Sequence, residues 1–165
     1  MHAALAYTEL KPGVREALGE LHVVERRMAG LEDYFWFLKE QWNRGDDLLV
    51  VEHDIVANPQ AIQEAIQCPE EWCAWRYEHR NGEFSPALGF ARFRRELMAR
   101  EPDLFDEIGK ISDGRGARIQ DHSRPRCWQR LDVRIHDILG ERGYTWHIHE
   151  TPVEHRLWSY EEVCF

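Results

Sequence analysis

The spacing of apolar positions in the first part of the chain predicts alternating strands and helices. Short apolar runs at residues 3–7 and 21–24 are typical of strands. Residues 14–21 and 31–42 instead place apolar side chains three and four positions apart, the period of an amphipathic helix. A third apolar run follows at residues 48–51. The order strand, helix, strand, helix, strand is expected of parallel βα units and predicts an α/β protein.

The third predicted strand ends in two carboxylates that are separated by one residue. Residues 48–51 are Leu, Leu, Val and Val, a pattern typical of a strand buried on both faces. Glu52 and Asp54 follow, and Pro59 ends the extended segment soon afterwards. Alternation along a strand would place both carboxylates on one side and His53 on the other.

This acidic pair is a candidate binding site because of where it falls. In open α/β sheets, ligands bind beyond the carboxyl ends of the strands. Two oxygen donors there suit Mg²⁺ or Mn²⁺, with phosphates or water completing the coordination. The alternative interpretation is an acidic strand end that is simply solvated.

The remaining pattern predicts further strands and helices. We expect helices over residues 58–67, 92–100 and 128–139, and strands over residues 72–77 and 144–149. Residues 81–82 are Asn-Gly, a possible hairpin tip, and residues 87–91 read as a short strand or a bend. Gly89 would allow the backbone to approach a ligand closely, or would only permit a turn.

Residues 109–126 lack an apolar period and are richer in basic than in acidic residues. Within an acidic protein, such a loop is a candidate lid over a phosphate or a contact with a polyanion. The alternative interpretation is a solvated surface loop.

Composition narrows the class of protein. The 165 residues are 43% hydrophobic and 31% charged, which predicts one globular domain over residues 1–165. A net charge of −9 disfavours nonspecific binding of nucleic acid by the whole surface. The cysteines show no CxxC pair, and we find neither a signal peptide nor a long apolar segment, so we expect free thiols, a cytoplasmic protein and no membrane partner.

Three histidines near the end of the sequence form a second candidate site. His147 and His149 would share one face of a strand, and His155 follows shortly. Imidazole suits Zn²⁺, Mn²⁺ and Fe²⁺. A metal-dependent hydrolase that uses these histidines is therefore an alternative function.

Several motifs together resemble one family in their order along the chain. They are Glu52-His53-Asp54, Glu71-Trp72-Cys73, Leu88-Gly89, Trp128, Asp132 and the segment from His149 to His155. The chain resembles small glycosyltransferase-like proteins of phages and bacteria, which are reduced versions of the GT-A fold. The resemblance implies a Rossmann-like, three-layer α/β sandwich with a mostly parallel sheet. It also implies an inverting transfer of a sugar from a nucleotide-sugar donor to an acceptor such as modified DNA, a glycan or a protein.

The resemblance also implies a role for the acidic pair. Glu52 and Asp54 stand where the family has its Asp-x-Asp motif, and they would hold Mn²⁺ or Mg²⁺ against the donor diphosphate. Glu52 departs from the usual first Asp of that motif. His155 best matches the histidine that the family often adds as a metal ligand, and His149 competes for that role.

Further roles follow from the same resemblance. Asp132 resembles the base that deprotonates the acceptor in inverting members, although Leu131 stands where Glu is commoner. Tyr7, Thr8 and Glu9 fall where the nucleoside is expected, Trp72 or Trp75 are candidates to flank a sugar, and Gly89 belongs to the donor site. A non-catalytic module that only binds a nucleotide or sugar is the alternative within this fold.

Overall fold

The computed structural model describes residues 1–30, 32–78, 84–109 and 131–156, with the side chains of 84–86 left aside. Its strands are β1 (His2–Tyr7), β2 (His22–Arg27), β3 (Leu48–Glu52), β4 (Ile55–Val56), β5 (Trp72–Glu78), β6 (Phe84–Phe93), β7 (His147–His149) and β8 (Glu154–His155). Its helices are α1 (Val14–Ala17), α2 (Asp33–Trp42), α3 (Pro59–Gln67), α4 (Arg95–Arg100), α5 (Leu104–Ile108) and α6 (Leu131–Glu141).

Six strands form a central sheet in the order β2-β1-β3-β6-β5-β7. All neighbours in this sheet are parallel except β6, which runs antiparallel to β3 and β5. A second sheet of two strands pairs β4 with β8. The prediction of an α/β fold with a mostly parallel sheet is confirmed.

Successive residues of β3 pack into two separate core layers. Leu48 and Val50 lie in the layer that contains side chains of α2, α4, α5 and α6. Leu49 and Val51 lie in the layer that contains side chains of α1 and α3. Because both faces of the central strands are covered, their sequences are apolar without alternation. The predicted three-layer arrangement is therefore present.

Local chemistry explains where α3 begins. The Asn58 side chain accepts a hydrogen bond of 2.9 Å from the backbone N–H of Ala61, and Pro59 occupies the first turn. The Asn58 amide also donates to the carbonyl oxygen of Pro152 at 2.8 Å. This cap ties the chain just after the acidic pair to the segment that leads into β8.

Several predicted boundaries were wrong. The helix predicted over residues 14–21 is the single turn α1, and β2 continues to Arg27 because an edge strand accommodates exposed charges. Residues 87–91 belong to β6, which has ten residues, so α4 begins only at Arg95. The helix α5 was not predicted, and the strand predicted over residues 144–149 is only β7.

Two predicted loops lie largely outside the described residues. These are the hairpin tip at residues 81–82 and the basic loop of residues 109–126, of which only Gly109 is described. Across the four described ranges, we find no helix that is long and apolar enough to cross a membrane.

Candidate functional site

The carboxyl ends of β1 and β3 lie side by side and form the edge where the predicted site falls. Ala6 of β1 is the register partner of Glu52 of β3. Tyr7 ends β1, and Thr8 and Glu9 follow it, so the predicted donor segment leaves the sheet next to the acidic pair.

The acidic pair does not lie on one continuous strand. Strand β3 ends at Glu52, and His53 and Asp54 form a turn before β4. The prediction from strand alternation was therefore wrong for His53. Its Nε2 lies 3.9 Å from Oδ2 of Asp54, so the ring faces that carboxylate instead of pointing away.

Pairing of β4 with β8 brings a histidine to Asp54. Ile55 pairs with His155, and the backbone N–H of Arg156 donates to the carbonyl oxygen of Asp54 at 2.8 Å. Nε2 of His155 lies 3.1 Å from Oδ2 of Asp54. Burial is the largest single influence and opposes the charge of both groups, but their mutual hydrogen bond together with nearby charges and backbone hydrogen bonds outweighs it. The pKa of Asp54 is therefore lowered and that of His155 is raised.

The other ring nitrogen of His155 determines what must lie between Nε2 and Asp54. Nδ1 lies 2.6 Å from the carbonyl oxygen of Glu78, which can only accept, so Nδ1 carries a proton. Nε2 then faces a carboxylate, which requires a second proton on the ring or a cation between the two groups. Asp54 is only 8% exposed, and its Oδ1 is buried without a hydrogen-bond partner.

Glu52 is a strongly perturbed carboxyl. Burial, followed by repulsion from Asp54 and Asp132, raises the pKa of Glu52 to about 7. The nearby Tyr34 hydroxyl and His155 oppose that rise. A bound cation would remove the repulsion among the three carboxylates.

Gly89 lies against this carboxylate. A Cβ atom at Gly89 would come within 2.6 Å of Oη of Tyr77 and 3.0 Å of Oε2 of Glu52. The close approach expected at Gly89 is therefore made to two protein side chains, and a larger residue would displace Glu52.

The predicted base comes to the same region. Asp132 lies in the first turn of α6, and its Oδ1 accepts a hydrogen bond of 2.7 Å from the backbone N–H of Val133. Its charge contributes to the raised pKa values of Glu52, Tyr34 and Tyr77. Asp132 also lines a cleft of about 240 Å³ whose walls include Leu88, Ala91, Trp72 and Trp146.

Trp72 is not at the edge where Glu52 lies. The register aligns Trp72 with Phe93 and Phe93 with Leu48, so Trp72 is level with the start of β3, about 13 Å from the level of Glu52. Its indole is 3% exposed and stacks on Phe93, at the far end of the cleft. Trp75 is fully buried on the other face, where its Nε1 donates to Glu64 at 2.9 Å.

His149 is also separate from the acidic pair. Its ring stacks on Trp75 with a centroid distance of 4.4 Å, and its Nδ1 lies 3.4 Å from Oε2 of Glu64. Cys68 and Cys73 are further neighbours, and ligand atoms of all three residues lie within 4.8 Å of one another. These cysteines form no CxxC pair and their third partner lies far along the chain, so no local motif in the sequence pointed to them.

The three histidines therefore do not form one centre. Within the described ranges, Cys68, Cys73 and His149 form the only group of three or more potential ligands that are this close together. Glu52, Asp54 and His155 share one edge but are not drawn together as tightly. The His-cluster hydrolase lacks its required arrangement, because His155 contacts Asp54 and His149 contacts the cysteines.

Comparisons with known proteins agree with the fold. No family model matches the chain, and no curated protein matches it. The crystal structure of a glycosyltransferase involved in the glycosylation of the major capsid of PBCV-1 is similar, with a TM-score of 0.56, 11% identity, and coverage of 97% of this chain and 95% of that one. The crystal structure of A197 from STIV gives a TM-score of 0.47, 11% identity, and coverage of 61% and 68% respectively. The protein has a glycosyltransferase-like α/β fold.

Proposed function

We propose that this protein is a metal-dependent glycosyltransferase that moves a sugar from a nucleotide-sugar donor to an acceptor hydroxyl. The observation that supports it best is the meeting of Asp54 and His155 beside Glu52, at the carboxyl edge of β1 and β3. Within a glycosyltransferase-like fold, this is the edge where a ligand is expected.

Asp54, His155 and Glu52 fit a divalent cation such as Mn²⁺ or Mg²⁺. Metal-bound histidines usually donate their second ring N–H to a carbonyl or carboxylate, as Nδ1 of His155 does to Glu78. The unpartnered Oδ1 of Asp54 is a further oxygen donor in a buried position. When bound, the cation would stabilise the negative charge that develops on the departing nucleoside diphosphate.

Asp132 is proposed as the base of an inverting reaction. Its carboxylate would accept the proton of the acceptor hydroxyl as that oxygen bonds to the anomeric carbon and the bond to the donor diphosphate breaks. Asp132 lines the cleft and is close enough to Glu52 to influence its pKa. An acceptor in this cleft would therefore lie beside the proposed base.

The donor is proposed to lie along Tyr7, Thr8 and Glu9, which leave β1 next to the acidic pair. Gly89 supports this site by leaving room for Glu52. Trp72 and His149 are not part of the proposed donor and metal site. Trp72 lies level with the start of β3, and His149 packs against Trp75 on the other face of the sheet.

The test is a panel of nucleotide sugars incubated with the protein and Mn²⁺, with release of the nucleoside diphosphate measured over time. We expect slow release from one donor class even to water, faster release with a suitable acceptor, and loss of both on chelation. Binding of a nucleotide sugar without any release would instead identify a non-catalytic binding module. The absence of both binding and release across the whole panel would contradict the proposal.

A further inference from the structure

Two cysteines and a histidine meet in the core layer that contains α1 and α3. Cys68 follows the last residue of α3, Cys73 lies on β5, and His149 lies on the neighbouring strand β7. The potential ligand atoms of all three lie within 4.8 Å of one another, and both cysteines are buried free thiols. The cluster takes no part in the proposed transferase site.

The surroundings of His149 leave its Nε2 available to bind a ligand. Nδ1 lies 3.4 Å from the carboxylate of Glu64, whose negative charge favours the tautomer with the proton on Nδ1. Nε2 is left with a lone pair, and it is buried without a hydrogen-bond partner. A carboxylate behind a histidine is the usual support of a histidine that binds a metal.

The Glu64 carboxylate is itself fixed in place. It accepts hydrogen bonds from Nε1 of Trp75 at 2.9 Å, from Oγ1 of Thr151 at 2.5 Å and from Nε2 of Gln60 at 3.0 Å. The His149 ring lies flat on the Trp75 indole, with 9° between the two planes. The orientation of the imidazole is therefore set by packing on Trp75 and by the charge of a carboxylate that hydrogen bonds hold in place.

A buried cation lies beside the thiols. Nε of Arg92 is 3.4 Å from Sγ of Cys73, and its guanidinium also donates to the carbonyl oxygens of Cys68 and Glu70 at 2.7 and 2.6 Å. Burial raises the pKa of Cys73 to about 12, so the thiol is protonated when no metal is bound. Arg92 would lower the cost of the thiolate that metal binding requires.

We propose that Cys68, Cys73 and His149 form a structural Zn²⁺ site that is distinct from the acidic edge. Thiolate and imidazole ligands select Zn²⁺ over Mg²⁺ and Mn²⁺. His147 is the nearest further imidazole, since its ring centroid is 4.5 Å from that of His149, and it or a water molecule would complete the tetrahedron. Binding replaces one proton on each thiol, and both protons leave to solvent.

Such a site would join three parts of the fold. It would tie the end of α3 and strand β5 to β7, which has only three residues at the edge of the sheet. The segment after β7 leads to β8 and so to His155. Zinc would therefore stabilise the part of the chain that delivers this histidine to Asp54.

The test titrates Zn²⁺ and Co²⁺ into the full chain after reduction and removal of metal. We expect one tightly bound Zn²⁺ per chain, and a Co²⁺ complex with thiolate charge-transfer absorption and the visible bands of a tetrahedral site. Cys73→Ser and His149→Gln should lose this binding. Cys127→Ser, which removes a different cysteine, and Asp54→Asn, which alters the acidic edge, should keep it.

A second measurement uses the unaltered protein, so it tests the proposal even where the variants fail to fold. At a urea concentration that opens the metal-free core, bound Zn²⁺ should protect Cys68 and Cys73 from alkylation, with the modified residues identified by mass spectrometry after digestion. Equal alkylation with and without Zn²⁺ would overturn the proposal. It would also be overturned by loss of Zn²⁺ binding in Asp54→Asn but not in Cys73→Ser, or by a Cys68–Cys73 disulfide that persists after reduction and excludes metal.

Discussion

At the scale of single residues, the facing pair of Asp54 and His155 is the most informative contact. Since Nδ1 of His155 is fixed as a donor by Glu78, the 3.1 Å contact between Nε2 and Asp54 needs a proton or a cation. The two choices exclude each other, so a proton and a metal ion compete for the same place.

This competition predicts how His155 titrates. Without divalent cations, the pKa of His155 should lie above its ordinary value, because Asp54 stabilises the imidazolium. Added Mg²⁺ should lower it by occupying the position of the second proton. The check is a pH titration of the His155 ring signals by NMR, with assignment from His155→Gln. A titration that Mg²⁺ leaves unchanged would count against His155 as a ligand.

The raised pKa of Glu52 predicts that the stability of the fold depends on pH. Its pKa is about 7 in the folded protein against an ordinary value of 4.5, so the unfolded chain releases this proton first as the pH rises. Stability should therefore fall between about pH 4.5 and 7 by up to about 3 kcal/mol relative to Glu52→Gln. Urea unfolding of both proteins across this range checks it. Parallel curves would contradict the assignment, and Mn²⁺ should restore stability at the alkaline end.

The proposed role of Asp132 as a base predicts that its substitution affects turnover but not donor binding. Asp132→Asn should bind donor and metal normally and lose about 10²–10⁴-fold in kcat, because it removes only the proton acceptor. Asp137→Asn is the matched control on the same helix, since its side chain is 63% exposed. If Asp132→Asn lost donor binding together with turnover, Asp132 would have a structural or metal-binding role instead.

Some site residues could be predicted from their positions along the chain, and others could not. Glu52 and Asp54 follow a continuous apolar strand, so the carboxyl edge of the sheet was predictable. The choice between His149 and His155 depends on pairing between β4 and β8, which are about 100 positions apart and have two residues each. No local pattern encodes such a contact.

At the scale of secondary-structure elements, local signals account for what was predicted. The extent of α3 was predictable because Asn58 and Pro59 form a recognisable start. Strand β6 was underestimated because its sequence contains Pro86 and Gly89, which normally weaken a strand. Gly89 lies where the register between β5 and β6 shifts, and the close approach of Tyr77 and Glu52 leaves no room for a side chain there.

Gly89 gives a prediction for strand β6. Gly89→Ala should destabilise the protein by about 1–3 kcal/mol and weaken metal binding, because its Cβ would meet Tyr77 and Glu52. Gly140→Ala is the matched control on α6, where no atom lies within 4 Å of an added Cβ. That control should gain about 0.5–1 kcal/mol. Equal effects of the two substitutions on unfolding would contradict the close approach at Gly89.

At the scale of the whole molecule, the sheet separates two kinds of ligand chemistry. Oxygen ligands gather at the carboxyl edge of β1 and β3, with Asp132 on the face covered by α6. Sulfur and imidazole ligands gather in the layer of α1 and α3. Hard and soft metals should therefore bind at different places, and loss of one site should not abolish metal binding at the other.

The claim that a cation and a nucleoside diphosphate share the acidic edge is tested most directly by Mn²⁺ binding, followed by electron paramagnetic resonance. Free Mn²⁺ should decrease on addition of protein, and decrease further when the matching nucleoside diphosphate is added. Asp54→Asn should lose this response while remaining folded, and Cys73→Ser should keep it. Mn²⁺ binding that Asp54→Asn leaves intact, or that no nucleoside diphosphate strengthens, would contradict the proposed site.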